Sequence, residues 1–205
     1  MKYIIHRGIT SSSIKENSYL AIKKALGDPS SSGVEFDIRL TKDKRIVLSH
    51  NSLVHLNSSI ENLDYNDIIK YTYLTTLDKI LEIDSNKIML IDVKIKNNYK
   101  VFCDVLTKYL KNTNKNIYIA SFDKRFIRYL KKKNKYKCGV IYIYYRRNNY
   151  KFSLINYKFI TNKRIKRINN KEIFLWTISN NNDLNIVKEK FSNYNDYFII
   201  MDKKI

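Results

Sequence analysis

The chain has 205 residues, enough for one domain with a real core and too few for more than two small ones. It carries 39 Lys and Arg against 19 Asp and Glu, a net charge of +20. Such a surplus draws anionic partners (nucleic acid, a membrane surface or a phosphate-bearing substrate), although a chain rich in Lys, Asn, Ile and Tyr and poor in Gly, Pro and Trp also reads as compositional drift. Two distant cysteines, Cys103 and Cys138, exclude a disulfide framework or thiolate metal site, and without a signal-like opening or an 18-residue apolar span the expectation is a soluble, cytoplasmic protein with no transmembrane segment.

In chain order, short apolar runs alternate with helical patterns. Strands are predicted over 3–6, 34–39, 46–50, 88–93, 117–121, 139–144, 157–161, 173–178 and 197–201. Most are continuous Ile- and Tyr-rich runs, as strands buried on both faces should be. Helices are predicted over 18–26, 77–82, 99–110, 124–132 and 183–190. Residues 145–156, basic and aromatic, receive no element. Loops fall at Pro29 with Ser30-Ser31-Ser32-Gly33, at Asn148-Asn149 and at Asn180-Asn181-Asn182. No linker or repeat interrupts the order, so residues 1–205 read as a single domain. Strand-then-helix repetition argues for an α/β fold with a parallel sheet. If 46–50 is a side excursion, eight strands remain, the count of a compact (β/α)8 TIM barrel near the lower size limit. A doubly wound open sheet is the rival, but it lacks a glycine-rich phosphate loop here.

The stretch Gly33-Val34-Glu35-Phe36-Asp37-Ile38-Arg39-Leu40 alternates apolar and polar residues. Its polar side places Glu35 and Asp37 two residues apart and therefore on one face. Asp92 and Lys94 repeat that spacing at the end of the 88–93 strand. His6-Arg7-Gly8, Ser49-His50-Asn51, Ser121-Phe122 and Trp176-Thr177 also fall at strand ends. In a β/α barrel, C-terminal strand ends form one mouth, and neighbouring strands lie roughly 4.8 Å apart. Glu35, Asp37 and Asp92 can then converge on one point. Three ionised carboxylates so close repel by several kcal/mol at low dielectric, so one must take up a proton or a hard cation such as Mg²⁺ or Ca²⁺ must sit among them. Arg7 and Lys94 are the cations placed to contact a phosphate. His6 and His50, with an ordinary imidazole pKa of about 6.5, suit proton transfer in both directions.

This order resembles the glycerophosphodiester phosphodiesterase family. The matching signatures are His6-Arg7-Gly8, Glu16-Asn17-Ser18, Glu35-Phe36-Asp37, Thr41-Lys42-Asp43, His50-Asn51, Thr76-Leu77, Asp92-Val93-Lys94, Ser121-Phe122 and Trp176-Thr177. The resemblance implies a TIM barrel, one divalent cation, and hydrolysis of glycerophosphodiesters to glycerol 3-phosphate and an alcohol in lipid metabolism. It further implies that His6 and His50 are the acid–base pair and that Glu35, Asp37 and Asp92 hold the metal. Arg7 and Lys94 would contact phosphate, Trp176 would wall the glycerol or alcohol side, and Glu16 and Asn17 would support the site. The family mechanism has the substrate's 2-hydroxyl attack phosphorus, giving a cyclic phosphate that water opens.

Three positions and one closing motif depart from the family pattern. Asn51 stands for an aspartate, Asp92 for a glutamate and Lys44 for a glycine. The closing D-x-P is blurred around 196–203, which suggests a trimmed last unit. Aspartate at position 92 resembles the sphingomyelinase D-like phospholipases, so an alternative is a lyase that stops at a cyclic phosphate. A third reading is a basic nucleic-acid-binding module on a decayed enzyme, with Lys and Arg interleaved with Tyr142, Tyr144 and Tyr145 over 124–151. The alternation there fits core strands better, so a small-molecule partner is expected and nucleic acid is not.

Overall fold

The computed structural model describes residues 2–55, 58–96, 98–133, 136–168, 172–194 and 197–204. In chain order the elements are β1 (Lys2–Thr10), α1 (Tyr19–Gly27), β2 (Gly33–Leu40), β3 (Ile46–Leu48), β4 (Leu53–His55), β5 (Ser58–Ser59), α2 (Tyr65–Ile68), α3 (Leu77–Leu81), β6 (Ile88–Val93), α4 (Tyr99–Tyr109), β7 (Asn116–Ser121), α5 (Lys124–Lys132), β8 (Lys137–Tyr142), β9 (Phe152–Asn156), α6 (Asn162–Ile165), β10 (Glu172–Ile178), α7 (Asn181–Lys190) and β11 (Phe198–Lys204). Parallel pairing runs from β1 through β2, β6, β7, β8, β9, β10 and β11 and returns to β1. The eight strands close a TIM barrel, and β3 is an antiparallel addition on the side of β2.

Period-2 alternation divides the apolar residues into two shells. Ile4, Leu90, Tyr118, Phe152, Leu154, Phe174 and Phe198 fill the barrel interior. Val34, Phe36, Ile38, Ile91, Ile119 and Ile199 belong to the larger cluster shared with the helices. Each such side chain contributes roughly 1.5–3 kcal/mol on burial. Phe174 and Phe198 stack at 4.4 Å between ring centres. Both cysteines are buried and unpaired, as core residues should be.

The strand predicted over 157–161 is corrected. The sixth barrel strand is Phe152–Asn156, and Tyr157–Phe159 is a short 3₁₀ turn capped by Asn156, whose Oδ1 accepts from Lys158 N at 3.0 Å. Residues 143–151, between β8 and β9, contain no helix. Tyr145 from this segment is buried and packs edge-on against Tyr142 at 5.7 Å. The two rings therefore serve the core, and only Tyr144 of the three tyrosines is exposed. The last unit is not trimmed: β11 is a full strand seated between β10 and β1. Asp196, in the blurred closing motif, lies outside the described residues. Among the described residues no helix is long and apolar enough to cross a membrane.

Candidate active site

The first histidine sits where β1 is bulged. Pairing with β11 loses register between Ile5 and Ile9, and Arg7 and Gly8 take positive φ values of 53° and 87°. Gly8 is required twice over: its φ favours glycine, and a Cβ there would lie 2.5 Å from the Ala21 carbonyl carbon. The bulge aims Arg7 at the barrel mouth. Its backbone N–H donates to Glu35 Oε2 at 3.2 Å, and its Nη1 to Glu16 Oε1 at 2.9 Å. Arg7 Nε lies 3.0 Å from Asp37 Oδ2 but is not aligned as a hydrogen bond, so that contact is one of charge.

Strand register assembles the acidic group. Asp37 and Asp92 are direct neighbours on β2 and β6, and His6 pairs with Glu35 across β1 and β2. One oxygen from each of Glu35, Asp37 and Asp92 lies within 4.8 Å of the others. Lys94 Nζ reaches Asp37 Oδ1 at 3.0 Å and Asp92 Oδ2 at 2.6 Å. Asn17 holds Asp37 from below: its Nδ2 donates to Oδ2 at 2.9 Å, and its Oδ1 accepts from Asp37 N at 3.1 Å. The expected supporting positions of Glu16 and Asn17 are thus both in contact with the site.

Burial separates the three carboxyls electrostatically. Glu35 is pushed up to about 8 by desolvation and by the neighbouring Asp37 charge. Desolvation also raises Asp92 to about 6, against the pull of Lys94. Burial pushes Asp37 upward too, but Lys94, Arg7 and Asn17 outweigh it and its pKa ends below the usual carboxylate range. Three carboxylates face two cations, Arg7 and Lys94, so the fully ionised group is one positive charge short of neutral. Asp92 Oδ1 is buried without a hydrogen-bond partner. An all-oxygen, carboxylate-rich donor set with one orphaned oxygen fits a hard divalent cation.

The two histidines face different partners. His6 Nδ1 lies 2.7 Å from Asp202 Oδ1 on β11, and its Nε2 lies 3.9 Å from Glu35 Oε2. Burial pulls the imidazole pKa down, but Asp202 and Glu35 prevail and it ends above 6.5. His50 Nδ1 meets a neutral acceptor, Asn51 Oδ1, at 3.1 Å. Its pKa falls below 6.5, chiefly through burial.

All eight predicted site residues, His6, Arg7, Glu35, Asp37, His50, Asp92, Lys94 and Trp176, line one cavity of 190 Å³. Phe122 and Trp176 meet edge-to-face at 5.9 Å and form an apolar wall, while Ile141, Leu154, Thr177 and Ile200 complete the lining. Sequence reasoning missed Asp202 as the partner of His6. The signal was present: Asp202 is two residues beyond the inward-facing Ile200, where a strand continued past Met201 would aim it inward.

A family profile described as the glycerophosphoryl diester phosphodiesterase family matches residues 6–190. A glycerophosphodiester phosphodiesterase of Caldanaerobacter subterraneus subsp. tengcongensis is 26% identical over 161 residues, which cover 68% of this chain and 65% of that protein. The match spans just under two thirds of that relative's length. The crystal structure of a Thermotoga maritima glycerophosphodiester phosphodiesterase superposes with a TM-score of 0.78 at 22% identity, covering 98% of this chain and 94% of its own. An Oleispira antarctica phosphodiesterase, solved in complex with the product sn-glycerol-3-phosphate, gives 0.80 at 15% identity, covering 98% and 93%. The profile match begins at His6 and runs to the last residue of α7, far more than half of the sequence, and the chain belongs to the glycerophosphoryl diester phosphodiesterase family.

Proposed function

We propose that the protein hydrolyses glycerophosphodiesters to glycerol 3-phosphate and an alcohol, with Glu35, Asp37 and Asp92 holding one divalent cation and His6 and His50 moving the protons. The single observation that carries this reading is the gathering of two histidines, three carboxylates, Arg7 and Lys94 around one cavity. A bound Mg²⁺ or Ca²⁺ would hold a phosphoryl oxygen and offset charge developing on it. It would take the ionised cluster from one negative to one positive charge, matched to a phosphodiester monoanion. Arg7 and Lys94 would then orient the other non-bridging oxygen.

The opposite pKa shifts divide the histidine roles. His50, held neutral, takes the proton from the glycerol 2-hydroxyl as that oxygen bonds to phosphorus. His6, kept protonated by Asp202, gives its proton to the alcohol oxygen as the phosphorus–oxygen bond breaks. The cyclic phosphate is then opened by water with the roles reversed. Phe122 and Trp176 support the carbon skeleton of the substrate.

The test is turnover of glycerophosphodiesters with and without added divalent metal, followed by phosphorus NMR. Glycerol 3-phosphate should form, chelation with EDTA should abolish it, and His6→Ala and His50→Ala should each remove it while the circular dichroism spectrum is kept. Retained turnover in either folded variant rejects that histidine's role. Accumulation of cyclic phosphate as the final product would instead identify a lyase.

A further inference from the structure

A second cavity, of 200 Å³, shares Lys94 with the first and so borders it. Lys42 and Lys44 from the turn between β2 and β3, and Lys96 from the loop after β6, also line it. Its one carboxylate among the described residues, Glu61, is already engaged: Arg39 Nη1 donates to Oε1 and Ser52 Oγ to Oε2, each at 2.6 Å. Lys42, Lys44 and Lys96 are exposed and form no ion pair with any described residue. Asn98 stands on the rim at the start of α4, but its Oδ1 already accepts from the Lys100 and Val101 amides. Attraction for an anion therefore rests on the lysines.

The backbone of Lys44 adds an independent sign. Its φ is +67°, a left-handed conformation that glycine adopts freely and a lysine does not. The turn is fixed by Lys44 N donating to Thr41 O at 3.0 Å and Thr41 N donating to Arg45 O at 2.9 Å. Glycine would hold this turn with less strain. A charged side chain kept at such a position, on the wall of a cavity beside the reacting centre, points to a ligand.

We infer that this cavity receives a second phosphate group, carried on the alcohol half of the substrate, so that the enzyme favours diesters whose leaving alcohol is itself phosphorylated. The inference rests on the diesterase reading above and names the substrate class for that site. Lysine ammonium groups are suited to phosphate as point charges, and exposed ones make the preference sensitive to salt.

The test compares kcat and KM for bis(glycerophospho)glycerol and glycerophosphocholine, in wild type, Lys44→Gly and the triple variant Lys42→Ser/Lys44→Gly/Lys96→Ser. Wild type should prefer the bis-ester by roughly tenfold at low salt. The triple variant should lose that preference through KM, with kcat on the bis-ester kept. Lys44→Gly should lower the preference while raising the thermal midpoint by about 2–4 °C. No preference in wild type, or an undiminished preference in the triple variant, overturns the subsite and leaves the diesterase reading intact. Calorimetric titration of the bis-ester in EDTA separates the two readings further. If neither diester is turned over with metal but the triple variant binds the bis-ester more weakly than wild type, the diesterase reading falls and the subsite stands; equal binding overturns the subsite.

Discussion

His6 and His50 differ most in what touches Nδ1: the charged Asp202 on one, the neutral Asn51 on the other. That contrast sets a testable dependence. Asp202 raises the His6 pKa, and its share persists when a cation occupies Glu35, because Asp202 contacts the other ring nitrogen. Asp202→Asn removes the charge, so the His6 pKa falls and the protonated form is lost at lower pH. The alkaline limb of the pH–rate profile should move toward acid, and kcat at pH 8 should drop by about ten- to a hundredfold, with a smaller loss at pH 6. A limb that stays in place in the variant would show that Asp202 does not tune His6. The other site residues were legible because each sits in a short signature at a strand end, where the barrel geometry sends it inward. Asp202 was missed although the alternation past Ile200 aims it inward, because it lies 196 residues from its partner and beyond the predicted end of its strand.

At the scale of elements, what periodicity could not settle was which of two adjacent apolar stretches enters the barrel. Residues 152–155 and 157–160 are both apolar enough to be strands. Register decides: Phe174 of β10 pairs with Leu154, and Gly139 of β8 pairs with Phe152. That second pair also explains the glycine. A Cβ on Gly139 would lie 2.6 Å from the Phe152 ring and from its carbonyl oxygen. Gly139→Ala should therefore cost about 1–3 kcal/mol through overpacking, measured by urea unfolding at pH 7. An unchanged midpoint would mean that the Phe152 ring does not occupy the space beside β8. The missing crossover helix after β8 has the same origin. Residues 143–151 supply no helical spacing, and Tyr145 covers the outer face there as a single buried ring.

For the molecule as a whole, closure depends on β11, the last barrel strand in chain order, which joins β10 to β1. Lys203 Nζ on that strand bonds Asp28 Oδ2, after α1, and Ser30 Oγ at 3.2 Å. Lys203 and then Ser30 depress the Asp28 pKa to about 2. A depressed carboxylate contributes stability above its unfolded pKa, near 3.8, and loses it as pH falls toward 2. With the ammonium 36% exposed, solvent screening limits the bridge to about 0.5–1 kcal/mol. Lys203→Met should lose that amount at pH 7 in urea titrations and progressively less below pH 4; an equal loss at both pH values would point to packing instead. The acidic cluster inside the barrel has the opposite sign. Glu35, near 8, and Asp92, near 6, are raised above their unfolded values. Without a cation the folded state binds more protons than the unfolded one, so these two groups make stability fall as pH rises from about 4 through 8. A divalent cation competes with those protons, and its affinity should increase over the same window. Thermal unfolding in Mg²⁺ or Ca²⁺ against EDTA should show a larger upward shift at pH 8 than at pH 6, approaching about 2.7 kcal/mol of stabilisation when the ion is a hundredfold above its Kd. Equal shifts at the two pH values, or a larger one at pH 6, would mean that the cation binds away from Glu35 and Asp92.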